Sequence, residues 1–291
     1  DKTISSARGP SLGSFANAAA AEDLLHRLSP ETRITQPWAV EPNEQFYYSA
    51  RASYALSGSW RFRLAAQRSE LVRDQLGLSA AGIQADGTYN IQYFFSPDQE
   101  RNNSAVLAVV EGDLQTGLVR HELAFGYDYV RRDMTFGPGF SGTIGTGNLF
   151  ADSVLPQPIL SVGASYLQFR SNQHSVFLSD TAKVSDRVEL FGVARFTRFQ
   201  NIRGTAPGTL VETYDESIVT PTVGLVYKLR PSLSLYASYA EGIEQGGTAP
   251  SNAINAGQVF DPLKSDQLEL GAKWELAEGA LLTVAAFEID K

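Results

Sequence analysis

Leu268-Glu269-Leu270-Gly271-Ala272-Lys273-Trp274-Glu275-Leu276 alternates apolar residues with small or charged ones. Successive side chains of a strand point to opposite sides, so this stretch predicts a β-strand with one oily and one wet face. The rhythm recurs at Phe46/Tyr48/Ala50/Ala52/Tyr54, with Tyr47, Ser49, Arg51 and Ser53 between them. It returns at Trp60/Phe62/Leu64/Ala66, Leu123/Phe125/Tyr127/Tyr129, Val223/Leu225/Tyr227 and Leu233/Leu235/Ala237/Tyr239. About ten long strands follow, each near or beyond the roughly 9–11 residues that a tilted membrane crossing needs. They are expected at Gln45–Leu56, from Trp60, and at Thr88–Leu114, Gly117–Arg132, Gln173–Val184, Arg187–Asn201, Ile218–Lys228, Leu233–Ile243, Ser265–Leu276 and Ala280–Asp290.

The connections are of two lengths. Ser57-Gly58-Ser59, Gln115-Thr116, Ser185-Asp186, Arg230-Pro231-Ser232 and Ala277-Glu278-Gly279 are short; those near Asp74–Gly87, Asp133–Asn172, Ile202–Glu216 and Gly246–Lys264 are long. The two kinds alternate strictly only if Thr88–Leu114 is one strand, with Pro97 in a part that projects beyond the bilayer, where a ladder donor can be spared. Outer-membrane barrels have short periplasmic turns and long extracellular loops. The expected fold class is therefore all-β: an antiparallel transmembrane β-barrel fragment, with Asp133–Asn172 and Gly246–Lys264 outside the cell. A soluble β-sandwich would have shorter strands of about 5–6 residues. Residues 1–44 read as an irregular N-terminal segment or loop, in which Asn17–Leu28 is a short helix capped by Asn17, or a flexible tail; residues 45–291 form the partial barrel.

Composition excludes several functions. A net charge of −8 argues against nucleic acid, which requires a basic face. The absence of cysteine rules out disulfides and thiolate metal sites. No apolar run approaches the roughly 18–20 residues of a spanning helix. His26, His121 and His174 show no zinc-ligand spacing and read as surface or lumen histidines. There is no G-x-S-x-G nucleophile elbow, so no catalytic residue is assigned. Gly142-Thr143-Ile144-Gly145-Thr146-Gly147 lacks the Lys-Ser/Thr of a phosphate cradle and reads as a flexible surface loop. Arg51, Arg61, Arg63, Arg195 and Lys228 stand on wet strand faces, as charges that cannot face lipid. Loops on a rigid scaffold commonly carry binding. The candidate ligand contacts are the loop aromatic, basic and amide residues Phe140, Tyr166, Arg170, Tyr214 and Gln245.

Three stretches carry a resemblance: Thr220-Pro221-Thr222-Val223-Gly224-Leu225-Val226-Tyr227, Leu233-Ser234-Leu235-Tyr236-Ala237-Ser238-Tyr239-Ala240-Glu241 and Asp261-Pro262-Leu263-Lys264-Ser265-Asp266-Gln267-Leu268-Glu269-Leu270-Gly271. In this order, with Gly246-Gly247-Thr248-Ala249-Pro250 between the last two, they resemble the barrel of TonB-dependent siderophore receptors. The resemblance covers about residues 45–291. It implies an outer-membrane receptor, not an enzyme, whose cargo is a ferric siderophore and whose partners are the TonB complex and outer-membrane lipid. It implies no covalently bound cofactor. Such receptors are barrels of about 22 strands with a plugged lumen. No TonB box or plug of the family's length precedes Gln45, and the chain ends on Ile289-Asp290-Lys291 rather than on a terminal aromatic strand, so a partial barrel is expected. The competing expectation is a complete ten-stranded barrel acting as a hydrolase or a passive pore, since an even strand number permits closure.

Overall fold

The computed structural model describes residues 2–6, 11–12, 24, 26–28, 35–159, 163–244, 246–247, 249–250 and 252–291. Its strands are β1 (Lys2–Ser6), β2 (Ser11–Leu12), β3 (Val40–Ala55), β4 (Trp60–Ala81), β5 (Thr88–Thr116), β6 (Val119–Phe136), β7 (Phe140–Asn148), β8 (Tyr166–Lys183), β9 (Val188–Ala206), β10 (Thr209–Arg230), β11 (Leu233–Glu244), β12 (Leu263–Ala277) and β13 (Ala280–Asp290). They form one 13-stranded sheet in the order β1-β3-β4-β5-β6-β8-β9-β10-β11-β12-β13, with β2 beside β4 and β7 beside β5. All pairings are antiparallel except β2 with β4. Among the described residues the sheet is not closed into a barrel.

Each of the ten expected crossing strands is present, and most run further than expected at the end away from the short turns. That end lies above the bilayer, where hydrogen bonding continues without lipid to enforce alternation. β5 is a single strand of 29 residues. Its lower part pairs with β6 through Glu100, and its upper part pairs with β7 from Phe95. Pro97 and Asp98 stand at the change of partner, where the β4 register also shifts between Arg73 and Gln75. Asp98 adopts φ 48°, and its N–H donates to Asp74 Oδ1 at 2.9 Å. Pro97 has no N–H to offer, so it sits where the ladder is already broken.

Three expected loops are shorter than the sequence suggests. Within Ile202–Glu216, β9 and β10 continue to a turn at Pro207-Gly208, with Gly208 at φ 78°. Within Asp74–Gly87, β4 continues to Ala81. Asp133–Asn172 contains the upper parts of β6 and β8 and all of β7. The Gly-rich stretch 142–147 is therefore strand rather than flexible loop. Positions 142 and 147 lie against the rings of Tyr93 and Tyr89, where an added Cβ would come within 2.8 Å and 2.6 Å. Glycine lets the rings lie flat on the backbone. The segment 1–44, expected as irregular, carries β1, paired from Lys2↔Glu44 to Ser6↔Val40, and β2. Leu24, His26 and Arg27 are helical; the start of the expected Asn17–Leu28 helix lies outside the described residues.

Facing follows from register. Leu270 lies between Ala237 of β11 and Ala286 of β13, and Leu268 stands opposite Tyr239. Phe125 stands opposite Leu178 and Val110, and Leu64 opposite Ala52 and Ala108. These residues form an oily belt that water would not tolerate: Leu270 is 56% exposed, Phe125 58% and Val223 51%. The opposite face pairs its charges. Arg63 meets Glu111 at 2.5 Å, Lys228 meets Glu189 at 2.5 Å, and Arg195 meets Asp128. An oily outside and a charge-paired inside are the solution for a wall between lipid and an aqueous lumen.

Candidate functional site

Above the oily belt the strand ends build a small core. Ala80, Ile83, Tyr89, Ile91 and Leu149 are buried together with Leu24, and Leu28, Ile144 and Leu155 pack on them. Leu76, Leu78 and Ala39 form an adjoining cluster against Trp38, Tyr93 and Phe95. Three amide and indole bonds fasten two distant segments over it. Gln36 donates to Ser153 O at 2.8 Å and accepts from Leu155 N at 2.8 Å, while Trp38 Nε1 donates to Leu155 O at 2.8 Å. Arg27 lies over the Phe150 ring at 4.4 Å. The extracellular end is thus a packed cap rather than a set of independent loops.

The five candidate contacts fall in different places. Tyr214 stands opposite Asn201 and shares its face of β10 with Glu216, Thr220, Thr222 and Lys228, so it belongs to the wet interior wall. Tyr166, opposite Phe136, is on the interior side of β8. Arg170 is on the other face of β8, in line with His174, Val176 and Leu178, and binds Asp133 rather than the mouth. Its direction reverses relative to Tyr166 because the register slips between Met134 and Thr135. Phe140 opens β7 opposite Phe95, and its ring lies near Gly163. Gln245 lies outside the described residues. The structure therefore groups Tyr166 and Tyr214 on one wall and separates Arg170 from them. Asn201, 2% exposed, joins them on this wall, although nothing local in Gln200-Asn201-Ile202 distinguishes a buried amide from a surface one.

Tyr214 is 7% exposed, and its Oη has no hydrogen-bond partner; neither has Asn201 Oδ1. Burial first, then the negative charges of Glu216 and Asp261, push its hydroxyl up to about 12 from an ordinary 10.0. The folded chain therefore keeps this proton where the unfolded chain loses it. The resulting stability is intact below pH about 10 and falls as pH rises through about 12, by about 2–3 kcal/mol in total. In Tyr214→Phe, the phenolate absorbance titration should lose its most alkaline step. A curve unchanged from that of the parent would refute the assignment.

His121 and His174 each link neighbouring strands. His121 Nδ1 is 2.8 Å from Asp180 Oδ2, and its Nε2 is 2.7 Å from Thr116 Oγ1. This file ties the β5–β6 turn to β8 at the periplasmic end. His174 Nδ1 is 2.8 Å from Tyr127 Oη, and its ring lies 4.7 Å from that of Tyr129. Among the described residues no three His, Asp or Glu side chains converge as a metal site.

The sequence matches the family described as TonB dependent receptor-like, beta-barrel, over residues 5–291. It is 27% identical to the ferrioxamine receptor of Yersinia enterocolitica, covering 78% of this chain and 32% of that protein. The ferric-pyoverdine 358 receptor of Pseudomonas putida is 26% identical, over 87% of this chain and 32% of its own length. Among solved structures, the ferric preacinetobactin receptor BauA of Acinetobacter baumannii superposes with a TM-score of 0.65 at 25% identity, covering 86% of this chain and 38% of that one. The ferric-catecholate import receptor Fiu of E. coli K12 gives 0.72 at 18% identity, over 96% and 45% of the two chains. The chain thus spans about a third of the length of the curated relatives it matches. The family consists of receptors rather than enzymes and resides in the outer membrane of Gram-negative bacteria. Its strand order, its oily belt and the family match across nearly its whole length make this chain a member of the TonB-dependent receptor β-barrel family.

Proposed function

We propose that the chain forms part of the wall of an outer-membrane receptor that imports a ferric siderophore with energy delivered through TonB. The observation that carries this reading is the family match over residues 5–291 together with relatives named for ferrioxamine, pyoverdine and ferrichrome. Cargo binds at the extracellular mouth without covalent chemistry. Tyr166 and Tyr214 on the interior wall are the first contacts to test, with Phe140 at the rim. Arg170 and Gln245 complete the candidate set from the sequence. We also divide the chain into an N-terminal segment, residues 1–44, and the wall, residues 45–291; the burial of Leu24 in the cap supports this division.

The test is uptake of ferric hydroxamate, catecholate and mixed-ligand chelates in cells with and without the gene. Loss of uptake for one chelate class is expected, together with its dependence on the proton gradient. Unchanged uptake of every chelate would end this reading, and uptake that survives collapse of the gradient would favour a passive pore. Alanine at Tyr166 or Tyr214 should weaken cargo binding by about tenfold or more if these rings anchor it.

A further inference from the structure

β10 and β11 separate toward the extracellular end. Their uppermost pair is Thr222↔Ala240. β10 nevertheless continues upward beside β9 as far as Thr209, and β11 continues beside β12 as far as Glu244. Above Thr222 the wall therefore has a seam, across which no strand pairing joins β10 to β11. The connection that follows β11 returns to β12 through Phe260 and Asp261, and Phe260 N donates to Gly247 O at 2.9 Å.

Two orphaned oxygens stand at this level. Tyr214 and Asn201 are directly opposed on the interior face of β10 and β9, and both are buried. Neither Tyr214 Oη nor Asn201 Oδ1 has a hydrogen-bond partner. Buried polar atoms of folded proteins are almost always satisfied, by protein groups, water or an ion. Two carboxylates accompany them. Glu216 is the next residue down on the same face of β10, opposite Phe199, and Asp261 enters from the returning connection. After burial, the charges of Glu216 and then Asp261 are what raise the Tyr214 hydroxyl, which places both carboxylates around it. Neither carboxylate has an ion-pair partner among the described residues. Arg203, one step above Asn201 on β9, is exposed and does not neutralise them.

The donor set is thus all oxygen: two carboxylates, an amide carbonyl and a phenol. Zinc selects nitrogen and sulfur ligands, which are missing here. Magnesium requires a near-ideal octahedron, whereas calcium accepts six to eight oxygens in a flexible shell and tolerates ligands from separate segments. Two carboxylates also match the charge of a divalent ion. We propose that Tyr214, Asn201, Glu216 and Asp261 bind a calcium ion, which closes the seam by tying the connection after β11 to β9 and β10. Water completes the shell. The ion can bind whether or not the chain moves cargo, so the failure of either reading leaves the other standing.

The probe is terbium, which takes calcium's oxygen ligands and emits when a nearby tyrosine is excited. It is titrated against the full chain in chelator-treated zwitterionic micelles, and calcium is then added as competitor. Saturable emission that calcium displaces is expected. E216Q/D261N keeps Tyr214 as the antenna but removes both charged ligands, and should bind about 100-fold more weakly, since affinity at oxygen sites follows the charge of the ligands. E241Q/D266N removes the same charge from the opposite face of β11 and β12, and should bind like the parent. Asn201→Asp keeps an oxygen at that position and adds charge, so it should bind at least as tightly as the parent, whereas Asn201→Leu should weaken binding; the pair separates loss of a ligand from loss of the fold. Calcium should also slow amide exchange over residues 258–263. Absence of saturable emission would overturn the proposal, as would undiminished binding by E216Q/D261N or equal loss in E241Q/D266N. Unchanged exchange over 258–263 with calcium bound would overturn the closing of the seam.

Discussion

Leu270→Lys destabilises the membrane-folded sheet by about 2–4 kcal/mol, whereas Gln267→Lys costs little. The two positions share β12 with only two residues between them, but they face opposite environments. Leu270 stands between Ala237 and Ala286 on the oily face, so a lysine there carries an ammonium into hydrocarbon, where it finds neither water nor a carboxylate. Gln267 stands opposite Ala240 on the wet face, where Glu269 accepts from its amide at 3.0 Å. A lysine at 267 keeps that carboxylate within reach. Denaturant titration from lipid vesicles gives both values. Equal penalties would mean that the faces have been exchanged, and with them every interior and exterior assignment made from register.

Ile91→Ala should loosen the extracellular cap by about 2–5 kcal/mol and leave the membrane-spanning strands intact. Ile91 is fully buried in the cluster with Leu24, Ala80, Ile83, Tyr89 and Leu149. Removing its branched side chain leaves a cavity that neighbours on two paired strands cannot fill, since β5 is held by β4 through Ala80 and by β7 through Gly145. Hydrogen exchange would show the result as faster exchange over residues 76–95 and 144–155, with β11 to β13 unchanged. If cap amides kept the parent's protection, the core described here would not hold those segments together. If the crossing strands melted with the cap, the two would be one cooperative unit.

The crossing segments were legible because lipid imposes a rule at every second residue. Leu268 to Leu276 or Phe62 to Ala66 could be assigned to a face without coordinates. Pro97 was also legible, since the projecting part of a strand is where a ladder donor can be spared. Above the bilayer this rule lapses. Ile202–Glu216 and Asp133–Asn172 read as loops because their strands mix Thr, Gly, Asp and Arg on both faces, yet they pair as strands. The Pro207-Gly208 pair was the available signal for a hairpin turn in the first of these. In the second, glycines at 142 and 147 suggested flexibility when they instead make room for Tyr93 and Tyr89.

Local sequence alone determined the all-β class, the crossing strands, the side of each turn and the face of most crossing residues, because each depends on a period of two and on turn length. Tertiary structure decided what depends on register between strands distant in sequence. A one-residue slip near Met134 turned Tyr166 to the interior wall, while Arg170, on the other side of the slip, stayed in line with Leu178 on the outer surface. Pairing of β9 with β10 buried Tyr214 beside Asn201. A hydrogen bond between residues 36 and 153 closed the cap. A slip of one residue reverses a side chain's face, and no pattern within a single strand records where its neighbour will slip.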